Sequence, residues 1–440
     1  MGSDMTPIFP GSPSNARSSG SSPPSSGLGI EEYQWLVSPE AERWLEIAAA
    51  ADEKSLVKTT LSLRKELGTT RTHLVVAQAE LRRRAGIKFP DARRMFFTRQ
   101  LLEQATDAQI ARYKAQRWPA AERVADLCCG IGGDLMALGG RGPVTGVDRD
   151  PLAVVLAVAN CGLSGLTSAQ VQCADACDQN IAEYAAWHVD PDRRVEGKRR
   201  TRIECHDPDL DAIERLLAQN GHAALKLAPA ARLPQRWSEA AELEWIGNRG
   251  ECRQQMVWFQ GLAREPGKRS ATVFVAGAND PRTIRGDAGL EIPVAGSLGR
   301  YVFEPHAAVL AADLAGVLAG QHALQCVSLG IPYMTGDQIV PDAALACFEV
   351  SEVLPLDPKH LREAIRQRAI GHLEVKKRGV KIDPEEVRRQ IHPRGDNQAT
   401  LIITPVRNKI AAILAQRVGP AWSGDHTAAE TVDAETMEDE

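Results

Sequence analysis

The chain predicts an α/β protein: a parallel, doubly wound sheet with a helical region before it and a mixed α+β region after it. Three observations carry this. From about Ala120 onward, short apolar runs alternate with helical stretches, the pattern of strand–helix–strand units with right-handed crossovers. The first of those runs, "VADLCC", breaks directly into the glycine-rich bend "GIGGDL". Before it, residues 31–119 show apolar side chains three and four apart with no strand-like run between them.

Taken in order, residues 1–30 are Ser, Pro and Gly with almost no large apolar side chains, so they cannot offset their ordering entropy and read as a disordered leader. Residues 31–119, with "EYQWLVSPEAERWLEIAAAA" and "SLVKTTLSLRKEL", read as a helical domain. The sheet domain spans 120–298, with strands expected at "RVADLCC", "PVTGVD", "AQVQCAD", "AAWHVD", "AALKLA" and "ATVFVAG". Residues 299–423 form a C-terminal region. In it "AAVLAADLAGVLAG", interrupted by Asp313, reads as one buried helix and not a membrane span. "IGHLEVKKRGVKIDPEEVRRQI" and "QATLIITPVRNKIAAILAQR" read as strand, helix, strand and then a last strand or helix, and 424–440 as an acidic tail.

Composition narrows the function classes. A chain of 440 residues exceeds one ordinary core, and 43% apolar with 25% charged residues is a globular balance. The formal charge of -5 excludes a global nucleic-acid signature, so an RNA or DNA partner needs a local basic surface. Nine cysteines lack the paired C-x-x-C spacing of zinc modules and the ten histidines show no ligand spacing, so no metal is expected. Without a secretory pattern these thiols read as reduced and the protein as cytoplasmic.

The glycine bend is the informative stretch. In a doubly wound sheet the first strand-to-helix turn cradles the ligand. Gly130, Gly132 and Gly133 let the backbone approach it without a Cβ in the way, and the following helix offers free N–H groups. Asp148, 22 residues after Asp126, ends the next strand where a carboxylate accepts ribose hydroxyls, and Asp175 ends a third strand beside the place of an adenine. The frame departs from G-x-G-x-x-G, with Leu135 where the third glycine belongs. Asp126, before the bend, would repel a pyrophosphate but tolerate a sulfonium-bearing amino acid. S-adenosylmethionine therefore fits better than a dinucleotide.

"VADLCCGIGGDL", "VTGVDRDP", "CADA" and "VDPDRR" occur in the order and spacing of motifs I to IV of class I S-adenosylmethionine-dependent methyltransferases, which this chain resembles. "KFPDARRMFFTRQLLEQAT" before the sheet and "GHLEVKKRGVKIDPEEVRRQIHPRGDNQATLIIT" after it look like bacterial methyltransferases with a C-terminal THUMP-like domain. The resemblance covers most of residues 80–405. It implies a Rossmann-like sheet and S-adenosylmethionine held by Asp126, Cys128, Gly130, Gly132, Gly133, Asp148, Arg149, Asp175 and Ala176. Because THUMP domains accompany RNA-modifying enzymes, it also implies a structured RNA, a transfer or ribosomal RNA, as substrate; the alternatives are the same chemistry on a small molecule, or a catalytically silent RNA-binding scaffold.

The string "HVDPDRR" ends the fourth strand, opposite the methyl group in this fold. Methyl transfer is a displacement, so the protein mainly aligns the nucleophile. Asp190 can orient it or take its proton, with Pro191 and Arg193 beside it. Enzymes acting on exocyclic base amines usually show Asn or Asp, then Pro-Pro, then an aromatic; here Asp192 and Arg193 stand in the last two of those places, which argues against amine methylation. Uracil C5 enzymes carry D-P-P-R and a later cysteine, but Gly277 and Ala278 stand where that cysteine is expected, which argues against carbon methylation. Arg193 and Arg194 can grip a phosphate or carboxylate, or form a solvated loop.

Two stretches are locally basic. Residues 81–117 hold ten Lys and Arg against three acids, including Lys88, Arg93 and Arg94, interleaved with Phe89, Phe96, Phe97, Tyr113 and Trp118. That pattern suits either a stacking RNA surface or a helix with a solvated face and an aromatic core. In 374–394, Lys376, Lys377 and Arg378 run into Gly379, a turn expected to display them to phosphate. Cys128 and Cys129 read as small apolar residues under a cofactor, not as nucleophiles.

Overall fold

The computed structural model describes residues 29–193, 202–275, 280–407 and 409–419. It divides into two compact units, one holding residues up to 227 with 231–242 and 256–266, the other holding 228–230, 243–255 and 267 onward. The expected leader, the acidic tail, Arg194, Gly277 and Ala278 lie outside the described residues.

The first unit begins with five helices, α1 (Ile30–Leu36), α2 (Pro39–Ala49), α3 (Leu56–Ala85), α4 (Arg99–Gln104) and α5 (Ala108–Ala115). Pro39 starts α2 where a missing N–H costs nothing, and Gly68 kinks α3 with φ +72°. The sheet follows: β1 (Val124–Leu127), α6 (Gly133–Gly139), β2 (Val144–Asp148), α7 (Pro151–Leu163), β3 (Ala169–Cys173), β4 (Ala186–Val189), α8 (Leu210–Gln219) and β5 (Ala223–Leu227), with α9 (Gln235–Ala240) beyond it. The strands run parallel in the order β3-β2-β1-β4-β5, with Asp126 level with Gly146 on one side and His188 on the other. The winding reverses between β1 and β4, so their carboxyl ends open the crevice where such sheets take ligands.

The expected helical domain shares its core with this sheet. Tyr33, Leu36, Leu45, Val75, Phe89, Phe96 and Phe97 pack in one buried cluster with Ile131 and Leu156. Asn160 of α7 fastens them: its amide donates to the carbonyls of Phe96 (3.1 Å) and Ile131 (3.0 Å) and accepts from the Phe96 N–H (2.8 Å). Phe89, Phe96, Phe97 and Trp118 are buried, which withdraws them as RNA-stacking rings and leaves the core reading.

The second unit contains β6 (Glu242–Asn248) parallel to β8 (Arg269–Phe274), and β9 (Arg282–Gly286) antiparallel to β8. The neighbour of β6 is β7 (Glu251–Trp258), whose residues 251–255 belong to this unit. β6 and β7 are joined by Arg249 (φ +55°) and Gly250 (φ +80°), a two-residue hairpin. The expected single helix near 307–320 is two, α10 (Ala307–Ala311) and α11 (Ala315–Gln321), broken where Asp313 takes φ +60°.

The remaining elements are β10 (Tyr301–Pro305), β11 (Gln325–Ser328), β12 (Ile331–Gly336), β13 (Leu345–Pro355), α12 (Pro358–Gln367), β14 (Ile370–Lys377), α13 (Pro384–Ile391), β15 (Asn397–Val406) and β16 (Lys409–Val418). They build a seven-stranded sheet in the order β11-β12-β10-β13-β16-β15-β14, in which only the β14–β15 pair is parallel. Helices α12 and α13 cover one apolar cluster through Leu361, Ile365, Val387 and Ile391. The final stretch is thus a strand, paired with β15 in a hairpin and with β13 on its other side.

Candidate active site

The bend after β1 is built from left-handed backbone. Cys128, Gly130 and Gly132 have φ of +58°, +55° and +87°, and α6 starts at Gly133. A Cβ on Gly130 would meet nothing within 4 Å, so the bend faces open space, whereas one on Gly133 would lie 3.2 Å from the Thr106 carbonyl. One side is bare for a ligand; the other is closed by the chain after α4.

Asp148 at the end of β2 is tied to this bend. Its Oδ2 accepts the Gly130 N–H at 2.8 Å and its Oδ1 the Asp150 N–H at 2.9 Å. Burial pushes its carboxyl up to about 6, against the lowering effect of those two bonds. Each oxygen keeps a lone pair, which is what two ribose hydroxyls need. Asp175 is exposed and its side chain caps the turn at Ala176, accepting the Cys177 N–H at 2.8 Å, while Ala176 is buried. Arg149 pairs with Asp207. A bare bend with a half-buried acid at the end of β2 and an exposed acid after β3 fits S-adenosylmethionine.

Asp126 takes a different position from a lining residue. It is sealed in the sheet, 1% exposed, with Oδ1 2.7 Å from His188 Nδ1 on the neighbouring strand. Burial raises its pKa and His188 opposes that rise. It lies beneath the bend and does not line it. Asp134, in the first turn of α6, lies 2.7 Å from the buried Lys114 ammonium and accepts the Thr106 hydroxyl at 2.6 Å. Burial favours the neutral acid there, but Lys114, His188 and Lys226 outweigh it and lower the pKa. The Lys114 contact is an ion pair without an aligned hydrogen bond. The Cys128 thiol is pushed well above its usual range by burial and by the carboxylates of Asp148 and Asp190, which keeps it neutral.

At the end of β4, Asp190 is partly open, its side chain 31% exposed, with Oδ2 2.5 Å from Lys226 Nζ of β5. Lys226 also donates to the Gln104 carbonyl at 3.0 Å, and the Gln104 amide reaches Asp192 Oδ1 at 3.4 Å. Pro191 is buried and Arg193 half-buried. The crevice thus brings together Asp190 and Asp192 with Gln104 at the end of α4, and the residues that follow it close the back of the glycine bend.

The expected substrate contacts lie in separate surroundings. Lys88 directs its ammonium to the carbonyls of Leu102 (2.8 Å), Glu103 (3.0 Å) and Ala105 (2.9 Å), ending α4. Arg93 and Arg94 are exposed. In the second unit Lys376 lies 3.0 Å from Glu304 and 3.2 Å from Glu374, Arg378 lies 3.7 Å from Glu304, and Lys377 is half-buried. Among the described residues no group of three His, Cys, Asp or Glu is placed to hold a metal, and no helix is long and apolar enough to cross a membrane.

Sequence reasoning missed Lys226, His188, Lys114 and Thr106. The first two left a signal: a lone lysine in "AALKLA" and a lone histidine in "AAWHVD", each in a strand covered on both faces, where a polar side chain needs a partner. Lys114 left none, because one lysine in a helix reads as solvated.

Residues 345–417 match the family model described as THUMP domain-like. Two curated relatives from Mycobacterium tuberculosis strains, described as uncharacterised S-adenosylmethionine-dependent methyltransferases, are 30% identical over 359 residues, which is 80% of this chain and 92% of each relative. A crystal structure of a methyltransferase candidate from Porphyromonas gingivalis W83 superposes with a TM-score of 0.68 at 20% identity, covering 88% of this chain and 99% of that one, a likeness of fold. With the α/β architecture and a C-terminal THUMP-like domain beside these relatives, this chain belongs to the S-adenosylmethionine-dependent methyltransferases.

Proposed function

We propose that this enzyme transfers the methyl group of S-adenosylmethionine to a nucleotide of a structured RNA, a transfer or ribosomal RNA, in the cytoplasm. The observation that carries the substrate is the match of 345–417 to a THUMP domain-like model in the same chain as the methyltransferase sheet, since THUMP domains accompany RNA-modifying enzymes. The cofactor supplies a methyl group on a positively charged sulfur and a neutral thioether leaving group. The protein supplies alignment. Gly130, Gly132 and Gly133 admit the amino-acid end, Asp148 accepts the ribose hydroxyls, and Asp175 with Ala176 borders the base. Asp190, with one oxygen on Lys226, turns its other oxygen to the target and orients the nucleophile or takes its proton. In the first unit Arg193, Arg93 and Arg94 supply cations for the substrate's phosphates, and in the second unit Lys377 supplies another.

The test is transfer of labelled methyl from S-adenosylmethionine, by the purified full chain, to RNA extracted from cells that lack the protein. The expected result is label in RNA that weakens steeply as salt rises, as phosphate contacts require. Label confined to small molecules would overturn the RNA assignment.

A further inference from the structure

We propose that Lys226 is a positioning residue for methyl transfer: its ammonium fixes the Asp190 carboxylate and the end of α4 as one unit, leaving a single Asp190 oxygen for the substrate. The role rests on the reading of Asp190 given above. The argument begins with where the lysine stands. Lys226 is the next-to-last residue of the largely buried strand β5 and its side chain is only 12% exposed, a position in which lysine needs compensation. It finds two partners, Asp190 Oδ2 at 2.5 Å and the Gln104 carbonyl at 3.0 Å. Burial alone would lower its pKa, but Asp190 and Asp134 outweigh that and raise it, so the ammonium stays charged.

The second partner matters as much as the first. A helix ends with carbonyls that no turn satisfies. Around the end of α4 those of Leu102, Glu103 and Ala105 go to Lys88, and that of Gln104 goes to Lys226. The next residue along, Thr106, holds Asp134 through its hydroxyl and packs its backbone against Gly133. Residues 104–106 therefore join the glycine bend to Asp190 and Asp192, and Lys226 is the bond on the Asp190 side. Without it the carboxylate gains a free rotation and the Gln104 carbonyl loses its donor, while Asp148 and the bend keep their own bonds.

The experiment uses the full chain as Lys226→Met, Lys226→Arg, Asp190→Asn and the double variant Lys226→Met with Asp190→Asn. Labelled methyl transfer to RNA from cells lacking the protein gives kcat and KM, and calorimetry gives S-adenosylmethionine affinity. Lys226→Met is expected to lower kcat about 100-fold, the scale of a misplaced catalytic group, with cofactor affinity unchanged. Lys226→Arg, which keeps the charge, should recover most of kcat, and Lys226→Met should cost nothing further in the Asp190→Asn background. Wild-type kcat in Lys226→Met, no recovery with Arg, a loss tracking cofactor affinity, or additive losses would each overturn the role. Removing both members of the pair guards against a misfolded single variant. Should no RNA take label from the wild type, the substrate reading fails by itself. The melting midpoints of the four forms then decide: non-additive shifts support the Lys226–Asp190 unit and additive ones refute it.

Discussion

Two charged regions of this molecule use their side chains in opposite ways. In the crevice of the first unit the groups that face the opening keep acceptor capacity in reserve: Asp148 spends one lone pair per oxygen on backbone N–H groups, Asp175 is exposed, and Asp190 gives only one oxygen to Lys226. In the C-terminal sheet the charges are turned on each other. Glu304 faces Lys376 and Arg378, and Glu374 takes Lys376 and Arg417 (3.1 Å). The Glu304 to Lys376 contact is close but unaligned as a hydrogen bond, an electrostatic clamp more than a directed one. A run of basic letters is therefore not the same as basic surface, and the difference orders the expected effects of substitution.

The largest effect is expected at Asp190. Asp190→Ala should reduce methyl transfer by roughly two to four orders of magnitude, the range for a lost proton-handling group, with cofactor affinity retained. Equal loss of both would move Asp190 from the reaction to the cofactor. Next comes the bend. Gly132→Val forces a β-branched residue to φ +87°, a strain of about 1–3 kcal/mol that the free bend escapes by relaxing and the cofactor must restore, so S-adenosylmethionine affinity by calorimetry should fall roughly 5- to 150-fold. Affinity unchanged by that substitution would mean the bend is a turn and no more.

Asp148 offers a pH test. Its folded value of about 6 lies above that of an unfolded aspartate, so this group favours the folded state at low pH and that contribution is lost as pH rises through about 6. Ribose hydroxyls donate to the ionised form, so cofactor affinity should climb over the same window, and Asp148→Asn should flatten the climb. A wild-type affinity independent of pH would contradict the ribose role. The smallest effect separates the regions directly. Lys377→Ala should lower the salt slope of RNA binding by about 1, as one phosphate contact does, while Lys376→Ala, already held by two glutamates, should lower it less. Equal slopes would erase the contrast.

The legibility of the chain follows the same division. The six strands read from the sequence all form, because each is an apolar run bounded by turn residues, and the bend announces itself through glycines that the backbone requires at positive φ. The β6–β7 hairpin was not legible: its turn is Arg249-Gly250, outside the Asn-Gly and Asp-Gly pairs that mark such hairpins. The last strand was ambiguous because "KIAAILAQRV" satisfies both periods until β13 and β15 take its two edges. At the site, Asp148 and Asp190 were readable from their places at strand ends. Lys226 and its meeting with the end of α4 were not, since its ammonium meets the Gln104 carbonyl 122 residues away and nothing local records that meeting.

The most direct measurement is mass spectrometry of nucleosides from total RNA of cells with the protein, without it, and with the Asp190→Ala form in its place. One methylated nucleoside should disappear with the protein, return with the wild type and stay absent with Asp190→Ala. Identical nucleoside profiles in all three would contradict an RNA methyltransferase.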